Sequence, residues 1–569
     1  MLRNATRLRH PLSTWLVVLA LTLVTAGKAV ALSPIQESLS QTIESLTVPP
    51  TLGGEGLTDL DLITDFYTRR EFRPAWTDPG KIDEMLALVE RAASHGLRPE
   101  DYHGAKLQAL AQQYRSTQNP DDALTIELDI LLTDALARLG YHLHFGKVDP
   151  RTLDAHWNFS RELGSLEPVI KLQEAIDAAS ISAYGQDLFP QIPYYRRYRE
   201  LLTQYREVAR NGGWPNIPAG PTLEPGATDS RVPLLRRYLV TAGYLGADDP
   251  AAGDTYDPAL LTAMMEFQRL HGLQADGRIG KGTLEALNVP VEARIDQIRV
   301  NMERVRWVFR DLDERFLIVN IAGGNVFAYD HGQREWSGRA IVGKPYRATP
   351  IFKAEMTYLV LNPTWTVPPT ILRQDVLPKI RNDPGYLAAH EMDVIDRSGQ
   401  VVDPGTVQWQ TVQAGGFPYS LRQRAGPKNP LGRLKFMFPN PYSVYLHDTS
   451  APELFGRAEH TFSSGCIRVQ NPASLAEWVM KDSDRWNAAT IAQGIDSGKT
   501  ETVLLPKPLT VMLLYWTVAF DDDEKPIFLK DVYNRDAAVL RALDAPFRFE
   551  PLSPAAGERP PAQPVEATS

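Results

Sequence analysis

The sequence predicts a multidomain α+β chain with a mainly helical N-terminal scaffold, a small three-helix unit, and a β-rich domain interrupted by a long insertion. Three observations carry this. The chain has 569 residues, several times what one hydrophobic core organises, so three or four domains are expected. Apolar residues recur at three- and four-residue spacing in the first half, whereas short β-branched and aromatic runs dominate after about residue 310. A Gly- and Pro-rich stretch at 209–229 separates the helical part from the rest of the chain, as a linker or an extended connection. Hydrophobic residues make up 43% and charged residues 23%, ordinary for a globular chain. A net charge of −9 would repel a polyanion, which excludes a general nucleic-acid partner.

Residues 1–31 form the first element. Arg3, Arg7, Arg9 and His10 precede the apolar run Trp15–Val24, followed by Lys28 and the small-x-small pattern Ala29-Val30-Ala31. This reads as a secretory signal cut after Ala31. The rival is an uncleaved anchor, for which the run falls short of the ~18–20 apolar residues of a comfortable span. Membrane association is expected only if the segment stays attached. An exported chain with 1 cysteine cannot form an internal disulfide, and an unpaired thiol there is a liability. That shifts Cys466 toward a functional role.

Residues 32–215 are the scaffold. Ala123–Leu143 shows one amphipathic face, and Phe66, Tyr67, Phe72 and Trp76 suggest aromatic packing around a short loop. Residues 230–290 hold two short amphipathic helices, a glycine turn and a third helix starting near Gly282-Thr283. Phe267, Gln268, Gly272, Leu273, Asp276, Gly277, Ile279, Gly280 and Thr283 stand in the register F-Q-x-x-x-G-L-x-x-D-G-x-I-G-x-x-T. In this the unit resembles the peptidoglycan-binding domain. The glycines suit positive-φ turns between helices.

The β-rich domain spans 310–540, after a bridging helix over Ile295–Val308. Strands are expected at Arg315–Ile321 and Asn325–Tyr329, joined at Gly323-Gly324, then at Arg339–Gly343 and Thr357–Asn362. Residues 371–430 leave the strand pattern, with a short helix near Val376–Arg381, and read as an inserted lid. Strands resume at Leu434–Phe438 and Ser443–His447. Asn471-Pro472 opens a helix over Ala473–Lys481, and a late pair, Leu509–Phe520 and Ile527–Tyr533, closes the domain. The stretch 553–569 reads as disordered.

The chemistry concentrates in His447 and Ser463-Ser464-Gly465-Cys466-Ile467-Arg468. Strand alternation puts Tyr445 and His447 on one face and Val444 and Leu446 on the other. A base held on a strand end beside a thiol, with Gly465 allowing a tight turn that frees amide donors, suits acyl transfer through a thioester. Spacing alone leaves an inert, small buried thiol open beside this. One Cys and two His without close spacing make a poor zinc set, so no metal and no cofactor is expected.

A His followed by Ser-(His/Ser)-Gly-Cys-apolar-Arg resembles the L,D-transpeptidase (YkuD-like) catalytic domain. The stretches 342–350, 362–368 and 426–432 carry the same likeness. The resemblance implies Cys466 as nucleophile and His447 as general base and acid. It also implies the Gly465 and Cys466 amides, with the Tyr445 hydroxyl, as oxyanion donors. Ser464 stands where many relatives have histidine, so a contact made by that histidine does not carry over. Arg468 is a substrate-carboxylate or loop-ordering group, with a structural salt bridge as the alternative. Trp365 is either groove lining or core, and His460 is read as solvated. The implied function is an exported, periplasmic, cell-wall-associated enzyme that joins peptidoglycan tetrapeptide stems through 3→3 cross-links. Its alternatives are an L,D-carboxypeptidase or amidase on the same bond class, and a non-catalytic wall-binding scaffold.

Overall fold

The computed structural model describes residues 32–161, 167–186, 189–246, 253–309, 312–412 and 417–547; the expected signal and the 553–569 tail lie outside them. Among the described residues no helix is long and apolar enough to cross a membrane.

The scaffold is built around helix Asp122–Phe145, started by Asp121, whose carboxylate accepts the Leu124 amide at 2.9 Å. The expected single apolar face is a correction, because this helix is buried on most sides. Its polar residues make that possible by bonding internally. Asp129 accepts the Tyr67 hydroxyl at 2.6 Å and the Ala75 and Trp76 amides, while Asp134 holds Arg138 and His103, each at 2.8 Å.

Three helices, Val232–Thr241, Pro258–Leu270 and Lys281–Leu287, pack around Leu239, Leu260, Phe267 and Leu287. The motif glutamine, Gln268, is buried here. It accepts the Gly277 amide at 2.8 Å and donates to the Arg278 carbonyl at 2.9 Å, which clamps the turn. Gly277 has φ +74 and a Cβ would meet Leu261 at 2.1 Å, so only glycine fits. Gly280, by contrast, has φ −87 and serves as the N-cap of the third helix. The 209–229 stretch is an extended connection, pinned by a Leu223–Ile279 bridge and by Ile217 in the same core.

The bridging helix starts earlier than expected, at Val291, and runs to Val308. Beyond it, nine strands form one sheet. In spatial order they are Thr461–Ser463, Gln333–Gly343, Ile467–Val469, Leu446–His447, Leu434–Met437, Phe352–Leu361, Glu501–Leu514, Arg315–Asn320 and Asn325–Asp330. Strand Gln333–Gly343 also pairs with Asn325–Asp330, so the sheet closes on itself. Phe352, Leu359, Phe436, Leu446, Ile467 and Val511 fill the inside, sealed by Leu475 and Trp478 of helix Pro472–Val479.

Several expected elements differ in detail. The strand before His447 is only Leu446–His447, because Ser443 has φ +55 and Asn440 ties the preceding turn through its side chain. Asn471 occupies the N-cap with Pro472 after it, but at φ +52 it makes no side-chain cap bond. The late strand begins at Glu501 and joins the large sheet, whereas Val518–Phe520 and Pro526–Phe528 form a separate hairpin against the bridging helix. The insertion is not strand-free. Its strands Ser420–Gln423, Met392–Ile395 and Val401–Val402 join Trp365–Thr366, which lies just before the expected 371–430 bounds, in a four-stranded sheet with a core around Leu377, Val394 and Leu421. The short helix inside it runs over Leu377–Asn382.

Candidate active site

Register alone assembles the candidate site. Strand Leu446–His447 runs parallel to Ile467–Val469, pairing Leu446 with Ile467 and His447 with Arg468. The Ile467 amide donates to the Tyr445 carbonyl at 3.0 Å, which sets Cys466 beside Tyr445. Leu446 and Ile467 point into the core, so Tyr445, His447, Cys466 and Arg468 share the opposite face. On the other side, antiparallel strand Leu434–Met437 pairs Lys435 with His447. Lys435, His447 and Arg468 therefore stand abreast on three strands.

The cysteine turn is shaped by backbone demands. Gly465 has φ +118, a conformation other residues adopt only under strain. Gly343 is pressed against the loop that follows it, where a Cβ would lie 2.1 Å from the Arg347 carbonyl. Thr349 links the two: it accepts the Gly343 amide and donates to the Gly465 carbonyl, both at 2.9 Å. Tyr533 donates to the Gly343 carbonyl at 2.5 Å. The Gly465 amide, expected as an oxyanion donor, is donated to Ser463 Oγ at 3.1 Å, while that hydroxyl donates to the Cys466 carbonyl at 2.5 Å.

Cys466 is half-buried and its Sγ donates to the Ser443 carbonyl at 3.6 Å. Burial pushes its pKa up, opposed by hydrogen bonding from Tyr445 and by the charges of Lys435 and Arg468. Burial pushes His447 down to about 3, and Arg468 and Lys435 add to this, with only the Asp448 backbone pulling the other way. Nδ1 of His447 is buried without a hydrogen bond of normal geometry. Tyr445 is raised well above its ordinary value, chiefly by burial, and so stays a donor. In both groups burial favours the uncharged form.

The other expected residues occupy distinct surroundings. Ser464 Oγ accepts from Arg347 Nη1 at 2.8 Å, and the same nitrogen reaches Asp375 of the insertion at 2.7 Å while Nη2 bonds Gln374. Ser464 thus connects the cysteine turn to the inserted subdomain. Arg468 makes no salt bridge among the described residues, and its Nε is buried without a partner; Glu453 is the acidic group that acts on it. Trp365 packs against the core of the insertion. His460 is corrected from solvated to partly buried: it packs against Gly324, and burial lowers its pKa. Lys435, Arg347, Thr349 and Tyr533 were missed, since no spacing rule joins them to the cysteine. Arg347 and Thr349 do sit inside the family-like stretch 342–350.

Three family comparisons match the chain. The "L,D-transpeptidase catalytic domain" matches residues 314–492, the "Putative peptidoglycan binding domain" residues 228–287, and the "Scaffold domain" residues 61–202. A Haemophilus influenzae protein named "Putative L,D-transpeptidase" is 30% identical over 275 residues, 48% of this chain and 55% of that protein. The chain spans about half the length of this curated relative. The chain is also similar to a solved L,D-transpeptidase structure from Xylanimonas cellulosilytica, the match covering 52% of this chain and 99% of that one at 16% identity and a TM-score of 0.17.

Proposed function

We propose that the L,D-transpeptidase catalytic domain carried by this chain is a cysteine acyltransferase that forms 3→3 cross-links between peptidoglycan tetrapeptide stems. The observation that supports this reading is the strand register that sets His447, Tyr445 and Cys466 on one face. In the proposed cycle His447 takes the Sγ proton as substrate arrives, and the thiolate attacks the carbonyl carbon after the L-centre of diaminopimelate. The Cys466 amide and the Tyr445 hydroxyl hold the resulting oxyanion; the Gly465 amide joins them only by leaving Ser463 Oγ. Collapse breaks the C–N bond, His447 returns its proton to the departing D-alanine amine, and a thioester remains. An acceptor amine then attacks the thioester and restores the thiol.

The insertion would act as a lid that favours the amine over water. The three-helix unit would hold the enzyme on the wall, in the periplasm. Mass spectrometry of purified tetrapeptide muropeptides incubated with the full chain tests the reading. Cross-linked dimers lost in Cys466→Ala support it; tripeptide alone makes the protein an L,D-carboxypeptidase. Unchanged muropeptides with an unreactive thiol would leave only a wall-binding scaffold.

A further inference from the structure

Lys435 has no role in the cycle above, yet it lies inside the site. Its ammonium sits 4.0 Å from the centre of the Tyr445 ring, on the strand beside His447. It is half-buried, and among the described residues no carboxylate or hydrogen-bond acceptor is paired with it. A cation taken out of water without a partner is costly unless an anion arrives to offset it. Cys466 acts as a negative group on both cations, but Arg468, the counterpart across His447, also has the acid Glu453 acting on it, whereas Lys435 has no such acid. The charged and titratable groups facing the thiol are Tyr445, Lys435 and Arg468, with His447 between the two cations. Arg347 and Asp375 lie behind Ser464 on the side of the insertion.

We propose that Lys435 is the counter-ion of the Cys466 thiolate. Resting on the reading of Cys466 as nucleophile, the inference supplies what His447 lacks. A buried neutral imidazole can accept the thiol proton, but it does not stabilise the thiolate beforehand as an imidazolium would. Burial lowers the Lys435 pKa and the negative sulfur raises it; in this role the ammonium keeps its proton and transfers nothing. Its charge favours negative charge on sulfur and then on the oxyanion, and its contact with the Tyr445 ring orients that hydroxyl. It is a positioning residue, acting through Cys466 and Tyr445.

The chain has 1 cysteine, so iodoacetamide reports on Cys466 without background. Alkylation rates of the full chain are measured from acidic to alkaline pH for wild type, Lys435→Met, Lys435→Gln and Lys435→Arg, each with its melting temperature. The expected result is a neutral-variant profile displaced to higher pH, about 10-fold slower at neutral pH, the equivalent of one pKa unit. Lys435→Arg should restore most of the rate. Superimposable profiles in either folded neutral variant overturn the proposal, as does an arginine variant as slow as the neutral ones. A KM increase for muropeptide with an unmoved alkylation profile also overturns it, making Lys435 a substrate-carboxylate contact. If instead Cys466→Ala still forms product, the nucleophile assignment fails, a different outcome from any of these.

Discussion

Arg347 joins the cysteine turn to the inserted subdomain, so its removal tests the lid. Arg347→Ala deletes a 2.7 Å contact to Asp375, a 2.8 Å contact to Ser464 and the bond to Gln374. The Arg347 side chain is 15% exposed and that of Asp375 42%, so solvent screening holds the ion pair to about 0.5–1 kcal/mol. The exposed bonds from the guanidinium to the Ser464 and Gln374 oxygens add about 0.5–1 kcal/mol. A total of about 1–2 kcal/mol changes an equilibrium roughly 5- to 30-fold, and the population with the insertion released should rise by that factor. Two assays read it: the rate of limited proteolysis within the insertion, and the ratio of hydrolysed tripeptide to cross-linked dimer. Both should increase, and a double-mutant cycle with Ser464→Ala should show coupling of about 1 kcal/mol. If neither rate nor ratio moves in a normally folded variant, Arg347 does not hold the insertion over the site and the lid argument fails.

Gly465→Ala probes the turn itself. The nearest atom to the new Cβ is the Arg347 carbonyl at 3.8 Å, so there is room and the whole penalty is the φ of +118, about 1–3 kcal/mol. Melting should fall by roughly 2–4 °C per kcal/mol and acyl transfer should drop sharply; unchanged values would mean the turn tolerates a side chain. His447→Gln should flatten the acid limb of stability. In the folded chain the ring stays neutral down to about pH 3, whereas unfolded it takes a proton near pH 6.5, so stability is lost as pH falls between the two. The variant should lose up to about 1.4 kcal/mol per pH unit of that slope. Parallel slopes in urea titrations at several pH values would contradict the buried, neutral ring. Cys466→Ala should bind muropeptide while forming no covalent adduct by intact-mass measurement; an adduct in that variant would remove the cysteine from the mechanism.

Much of the site was legible because it is local. The glycine before the cysteine, the alternation that puts Val444 and Leu446 inside, and Pro472 opening a helix all arise from conformational preferences of a few neighbouring residues. The motif Gln268 was visible as well, although its clamp on the Gly277 turn was not. Where sequence and structure part, a distant partner decided the outcome. Helix Asp122–Phe145 looks one-sided until Tyr67, Trp76 and His103 satisfy its polar face. The insertion looks irregular because its strands are two to four residues long, too short for alternation to register.

Sequence by itself therefore determined the order of domains, the helical or extended character of most segments, and the short motif that carries the thiol. These depend on backbone preference and hydrophobic period, which act over a handful of residues. Only the tertiary structure decided which side chains surround that thiol. Strand pairing brings Lys435 next to His447 and Arg468, and the Gly343 loop brings Arg347 and Thr349 to the cysteine turn. The strand encounters are fixed by register between separate segments, and a one-residue slip of a strand would send its Lys435, His447 or Arg468 to the opposite face.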